Sequence, residues 1–297
     1  MEISTTSGTA AIAPPILNAP TWVVIPTYNE RNNLPQLVGE VLALSPAIHV
    51  LVVDDASPDG TGAVADDLCR EDPDRVEAIH RAGKLGLGTA YLEGFRHALA
   101  HGARFVVEMD ADFSHRPQDL PRLLRAAAGG ADLVIGSRNV PGGRAEDWSL
   151  LRHAISKVGS FYARAILGTR VRDCTSGFRC FRGEALRKMD LGQVRSTGFG
   201  FQVEMLYLAQ LAGLRTEEVW IVFPDRARGT SKMSWRIALE AFLLVPKLRW
   251  LHGKARGLSP EGPVRPPARG GSLCRTLGRI EGKAVAASTG DIWPAND

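Results

Sequence analysis

The chain has 297 residues, 44% apolar and 23% charged, an ordinary composition for a soluble globular protein with ample material for a buried core. Its net charge of +4 favours anionic partners: phosphorylated substrates, anionic lipid, or less readily nucleic acid. Four cysteines without CxxC spacing, Cys69, Cys174, Cys180 and Cys274, point to neither a disulfide framework nor a zinc site. Residues 1–20 lack the basic start and apolar core of a signal peptide and, being Ala, Thr and Pro rich, read as a disordered arm. "TWVVIPTYN" predicts a buried strand, followed by a helix over 32–45 with Pro35 in its first turn. "HVLVVDDAS" is the next strand, then a helix over 61–71, the strand "VEAIHR", a glycine-rich loop and a helix over 90–101. "RFVVEMDAD", a helix over 117–128 and the strand "ADLVIGSR" continue the alternation.

Beyond these, "WSLLRHAISKVGSFYARAILG" predicts a helix with Leu151, Ile155, Val158, Tyr162 and Ala165 along one face. The aromatic, basic and apolar mixture in this segment recurs in "WRIALEAFLLVPKLRWL"; each alone suits an ordinary core helix, and the two together suit helices lying at a membrane interface. The apolar run of the second is interrupted by Glu240 and closed by Pro246, well short of the roughly 20 residues a span needs. Residues 253–297 are Gly, Pro and Arg rich and read as a disordered tail, leaving 21–252 as the folded domain. Apolar strands alternating with amphipathic helices predict an α/β fold, a Rossmann-like, mostly parallel sheet covered on both faces. In such sheets ligands bind at the carboxyl ends of the strands. Four of these strands end in polar clusters, "PTYNE", "DDASPDG", "DADFSH" and "GSRNVPGG", which predicts one shared site.

If the strand continues through "VVEMDADF", Glu108, Asp110 and Asp112 share one face, and like charges so placed raise one another's pKa unless a cation compensates them. Hard carboxylate oxygens suit Mg²⁺ or Mn²⁺ bridging a diphosphate; a solvated loop or a helix cap accounts for the same residues. Asp54 and Asp55 can accept hydrogen bonds from a base or a ribose; capping of the following helix is the alternative, for which Ser57, Asp59 and Thr61 are better placed. "GKLGLGTA" has neither the spacing nor the position of a dinucleotide or P-loop motif and reads as a substrate-side loop or a plain turn. In "PDRARGTSKMS", Arg226, Arg228 and Lys232 suit either a diphosphate clamp or a solvated basic turn. Arg152 and Ser156, four apart, share a helix face and can hold one phosphate. Nucleic-acid binding has no aromatic platform behind it.

"VVIPTYNE", "VVDDASPDGT", "GKLGLGTAYLEGF", "MDADFSHRP", "DLVIGSR", "CTSGFRCFR" and "GFGFQVEML", in this order, resemble family 2 glycosyltransferases of the dolichol-phosphate (polyprenol-phosphate) mannose synthase type, over about 22–250. The resemblance implies a GT-A fold and inverting transfer of mannose from GDP-mannose to a polyprenyl phosphate, with Mg²⁺ or Mn²⁺ as cofactor. It implies that Pro26, Tyr28, Glu30, Val53 and Asp55, with Asp54 beside them, line the nucleotide pocket. Asp110 and Asp112, flanking Ala111, hold the metal and sugar diphosphate, with Ser114 as a third contact. Arg226 and Lys232 bind the diphosphate, while Arg138, Arg152 and Ser156 receive the acceptor phosphate. A related enzyme using UDP-glucose on the same lipid, or a non-catalytic subunit that binds nucleotide sugar or lipid, is the alternative. The expected setting is peripheral, on the cytoplasmic face of a membrane, through interfacial helices, a membrane-anchoring partner protein, or both.

Overall fold

The computed structural model describes residues 18–146, 150–196, 198, 200–224 and 235–253; the side chains of residues 150–155, 235–242 and 253 are not described. Residues 1–17 of the expected arm, residues 254–297 of the expected tail, and Arg226, Arg228 and Lys232 lie outside the described residues, as does the side chain of Arg152. The end of the expected arm belongs to the fold instead: Ala19 is buried and the Pro20 carbonyl accepts the Arg104 and Phe105 amides.

The first half is a run of strand–helix units: β1 (Thr21–Thr27), α1 (Leu34–Leu42), β2 (Ile48–Asp54), α2 (Thr61–Glu71), β3 (Val76–His80), α3 (Leu87–Ala100), β4 (Phe105–Glu108), α4 (Leu120–Ala128) and β5 (Leu133–Ser137). Then come β6 (Arg144–Ala145), α5 (Leu150–Leu167), β7 (Arg179–Arg182), α6 (Gly183–Lys188), α7 (Gly200–Leu211), β8 (Thr216–Trp220), β9 (Val222–Phe223) and α8 (Trp235–Gly253). Seven strands form one sheet in the order β3-β2-β1-β4-β7-β5-β8, and β6 pairs with β9 apart from it. All pairings in the large sheet are parallel except those of β7, which runs antiparallel to both β4 and β5.

Strand alternation sends successive side chains to opposite faces, and both faces are dry. Trp22 and Val24 join one core cluster while Val23 and Ile25 join the other. A sheet buried on both sides explains why its strands read as continuous apolar runs rather than alternating ones.

Two expectations need correction. β4 stops at Glu108, so Asp110 and Asp112 sit on the turn beyond it rather than on a continuing strand face. Phe113, at φ 61°, turns the chain there. On α5 the buried side is Ser160, Ala163 and Leu167, whereas Val158 and Ala165 of the predicted face are exposed. The helix carries apolar residues on two sides, and periodicity alone does not say which side meets the core.

Strand order reverses between β1 and β4, the switch point at which open sheets part to admit ligands. Among the described residues, the three non-glycine residues with left-handed backbone, Asn29, Ala56 and Phe113, follow the carboxyl ends of β1, β2 and β4 respectively. Such conformations cost on the order of 1–3 kcal/mol each and persist where the surroundings over-determine them, as at functional sites.

Candidate active site

The turn after β4 is held from both sides. Tyr91, fully buried on α3, donates its hydroxyl to Asp110 Oδ1 at 3.1 Å. The Asp110 amide donates to His115 Nδ1 at 2.9 Å, so the ring carries its proton on Nε2, which faces Asp110 Oδ2 at 3.9 Å. Burial pushes the His115 pKa below its ordinary value despite the pull of Asp110 and Asp112. Its ring stacks on Phe178 at 4.9 Å between centroids. Asp112 accepts the Ser114 amide at 3.0 Å. Ser114 itself is 1% exposed, so its contribution to the turn is this amide rather than a hydroxyl offered at the surface.

The Asp110 side chain is 33% exposed, whereas Ala111 between the two aspartates is packed into the core. Carboxylate oxygens at a strand terminus, one of them oriented by a buried phenol, form a hard donor set that fits Mg²⁺ or Mn²⁺. Glu108, although two residues away, belongs to another environment. It lies fully buried opposite Arg179 in the β4–β7 register and accepts from Gln202 Nε2 at 2.7 Å. Burial, against the opposing pull of Arg179, pushes its pKa up to about 8. Arg179 spends its donors on the carbonyls of Ser176, Gln202 and Cys174, fixing the "TSGF" turn at the same sheet edge.

On the other side of the switch point, Pro26 pairs with Val53 and Thr27 with Asp54. Asp55 is 6% exposed and ion-paired with Arg81, and it also accepts the amides of Leu85 and Gly86 at 3.2 and 3.1 Å. The glycine-rich loop is therefore tied to β2 through Asp55, and it lays Lys84 Nζ 3.8 Å above the Tyr28 ring. Glu30 accepts Asn33 Nδ2 at 2.8 Å. Two expected pocket residues fit less well. Val53 is 0% exposed inside the core, so it lies behind the pocket surface. Asp54, 2% exposed, accepts Thr27 Oγ1, Ser57 Oγ and the Ser57 amide, which turns its carboxylate inward as a loop brace.

Arg138 and Ser156, far apart in sequence, line one cavity of about 210 Å³ with Asn139, Gly143, Arg144, Ala145 and Lys157. Arg138 is anchored there by Asp173, which accepts Nε and a terminal nitrogen at 2.7 Å each and the Arg138 amide at 3.0 Å. Burial resists ionisation of Asp173, but Arg138 prevails and holds the carboxyl below its usual range. A larger hollow of about 480 Å³ between α1 and α2 contains none of the predicted residues.

Tyr91, His115, Lys84, Lys157 and the Arg179 and Gln202 partners of Glu108 were not anticipated from the sequence. Only Lys84 carried a usable signal, its place in the glycine-rich loop. The others are set by partners on distant elements.

Residues 22–190 match the family described as "Glycosyl transferase family 2". A polyprenol monophosphomannose synthase from Mycolicibacterium smegmatis is 49% identical over 240 residues, 80% of this chain and 91% of that protein. An undecaprenyl-phosphate mannosyltransferase from Micrococcus luteus is 48% identical over 237 residues, 78% of this chain and 97% of that one. Among solved structures, glucosyl-3-phosphoglycerate synthase from Mycobacterium tuberculosis, in complex with Mn²⁺, UDP-glucose and phosphoglyceric acid, aligns with a TM-score of 0.58 at 17% identity, covering 82% of this chain and 86% of that one. A mannosyltransferase from Pyrobaculum calidifontis in complex with GDP-Man and Mn²⁺ aligns with a TM-score of 0.51 at 18% identity, covering 81% and 66%. The sheet order, the strand-end turns and this extent of similarity agree: the fold is GT-A, and the chain is a family 2 glycosyltransferase of the polyprenol-phosphate mannose synthase type.

Proposed function

We propose that this enzyme transfers mannose from GDP-mannose to a polyprenyl monophosphate, with inversion, at a membrane surface. The observation that carries the reading is the near-half identity, over about four fifths of the chain, to two relatives named for that class of transfer. The geometry supports it: strand-end carboxylates stand on one side, and a cavity lined by Arg138, Arg144, Lys157 and Ser156 on the other. Cations gathered at one cavity suit an acceptor that arrives as a phosphate.

In this reading Asp110 and Asp112 hold the metal and the sugar diphosphate, and a bound Mg²⁺ or Mn²⁺ supplies neutralisation of charge on the departing GDP. Pro26, Tyr28, Glu30, Asp55 and Ala111 shape the nucleotide side. Arg226 and Lys232 grip the diphosphate, and Arg138, Arg152 and Ser156 orient the acceptor. A sugar hydroxyl needs a general base, but a phosphate monoester, with a second pKa of about 6, is already largely dianionic at neutral pH. Its oxygen forms the new bond to the anomeric carbon while the bond to GDP breaks on the opposite face, GDP leaving with the electron pair. No dedicated base is required, and the chain's work is positioning and charge neutralisation. Buried, neutral His115 fits that account as the clamp that sets the Asp110 backbone.

Membrane attachment falls to α5 and α8, which pack on each other. Among the described residues no helix is long and apolar enough to cross a membrane, while Val158, Phe161, Leu243 and Trp250 on these two helices are all more than half exposed.

The test is transfer of radiolabelled sugar to polyprenyl phosphate from GDP-mannose, beside UDP-glucose, with and without EDTA. The expected result is product from GDP-mannose alone, lost with EDTA and reduced at least about 100-fold in Asp110→Asn. Transfer only from UDP-glucose overturns the donor, and binding of nucleotide sugar without transfer under any of these conditions overturns the catalytic reading.

A further inference from the structure

The amino-terminal edge of the sheet, opposite the catalytic turns, carries a cluster that the transfer reaction does not use. Trp22 opens β1 and pairs in register with His49 of β2, and Glu77 lies on the neighbouring β3. α3 runs back across the sheet and delivers His97 in its last turn and His101 at its C-cap. Counting about 3.3 Å per strand residue from Trp22 to Thr27, the cluster lies roughly 17 Å from the catalytic edge.

His97 and His101 are four apart and therefore on one helix face. Their rings stack 4.2 Å apart, and both rest on Trp22, with centroids at 5.3 and 5.4 Å. Trp22 is 3% exposed, so it forms a fixed floor. Glu77 Oε2 lies 2.7 Å from His97 Nε2. His101 Nδ1 is 2.9 Å from the His97 carbonyl; a carbonyl only accepts, so Nδ1 carries the proton and Nε2 keeps the lone pair. That backbone bond is the orientation that metal-binding histidines use. One ligand atom from each of Glu77, His97 and His101 lies within 4.8 Å of the other two. Tetrahedral zinc, with Zn–N of about 2.0–2.1 Å, separates its ligands by roughly 3.4 Å, so closure takes side-chain shifts of about 1 Å. The carbonyl end of α3 adds a favourable field for a cation.

We propose that Glu77, His97 and His101 form a second metal site, selective for Zn²⁺ or a similar imidazole-seeking divalent ion, with the remaining coordination position open to water. Two imidazoles and one carboxylate prefer such ions, whereas the Asp110 and Asp112 oxygens prefer Mg²⁺ or Mn²⁺, so ligand chemistry sorts the two metals. The ion bridges β3 and the end of α3, the helix that also carries Tyr91. The cysteine count gave no hint of this site because no cysteine takes part.

The test uses full-length protein stripped with EDTA and titrated with Zn²⁺ against a chromophoric chelator, with Co²⁺ absorption as a second readout of coordination. Expected are one tight equivalent of Zn²⁺, a rise in Tm of at least about 3 °C under saturating metal, and a tetrahedral-type Co²⁺ spectrum. His101→Gln, at an exposed position, should weaken zinc at least 10-fold while the metal-free protein stays folded, and Glu77→Gln should do likewise. Asp110→Asn should leave this zinc binding intact, which separates the site from the catalytic one. Absence of zinc binding at tens of micromolar, or binding that survives His101→Gln together with Glu77→Gln, overturns the assignment.

Discussion

Arg138 illustrates how one side chain can serve two masters. Its Nε and one terminal nitrogen are committed to Asp173, whose side chain is 0% exposed against 9% for Arg138. Removing one member of such a pair leaves a buried charge without compensation, at a cost of about 3–5 kcal/mol. Arg138→Ala should therefore lose about that much stability in urea unfolding, so a loss of transfer in this variant reports folding as well as the proposed acceptor contact. The pH dependence follows from the lowered Asp173 pKa, which burial opposes and Arg138 imposes. A carboxyl depressed in the folded state contributes stability that is complete above its unfolded value of about 3.9 and disappears as pH falls through the folded value. Urea midpoints should fall below about pH 4 more steeply in the wild type than in Asp173→Asn; parallel profiles would sink the linkage. Neither partner announced this in the sequence, because the pair joins the end of β5 to a loop 35 residues on. The place of Asp110 and Asp112 just past a strand end was legible because a polar run closing an apolar strand is a local signal. Val53 misled for the opposite reason: whether a strand residue lies at the pocket surface or behind it depends on what packs over it.

Helix α3 carries the demands of the site at the scale of an element. It must approach β1 closely enough for Tyr91 to reach Asp110, and Gly94 makes that approach possible. A Cβ added at Gly94 would stand 2.3 Å from Val24 Cγ1, a core contact with no room to yield. Gly94→Ala should cost about 1–3 kcal/mol through overpacking and lower activity as Tyr91 is pushed out of register. Gly39 in α1 is the control, exposed and with nothing within 4 Å of an added methyl group. Gly39→Ala should stabilise by about 0.5–1 kcal/mol through helix propensity. Equal Tm shifts for the two variants would refute the close-approach argument. The strand–helix alternation through β5 was readable from periodicity, and α2 occupies the expected span of residues. The antiparallel β7 was not: "RCFR" gives too short a signal, and strand pairing is settled by residues far apart in the chain.

The molecule as a whole presents different chemistry on different surfaces: carboxylates and cations at one sheet edge, the His97–His101 pair at the other, and apolar side chains on α5 and α8. Of the seven large hydrophobic residues exposed among those described, Val158, Phe161, Leu243, Trp250 and Leu251 belong to these two helices, leaving only Leu85 and Trp220 elsewhere. Leu243, Lys247 and Trp250 follow at helical spacing on α8, as Lys157 and Phe161 do on α5, which alternates apolar anchors with cations. The two segments were legible as helices from their spacing, but their outward residues were not, since each helix also supplies the core: Val245 and Leu248 of α8 are buried, and His252 bonds Glu204 of α7 at 2.9 Å. That docking fixes which side of α8 faces outward. Phe161 and Trp250 are 70% and 59% exposed, so replacing both removes apolar area from the surface without opening a cavity. At about 25 cal/mol per Å² of apolar surface, even partial insertion of the two rings is worth more than the roughly 1.4 kcal/mol that a tenfold change in partitioning requires. Phe161→Asp with Trp250→Asp should therefore lower binding to vesicles containing anionic lipid at least tenfold and spare transfer to a short-chain, water-soluble acceptor. Lysine and arginine contacts predict in addition that raised salt weakens the wild type's vesicle binding in part, the apolar share surviving because it is not screened. Unchanged partitioning of the double variant would mean that this face meets a protein partner or solvent instead, and that the enzyme reaches its lipid acceptor by another surface.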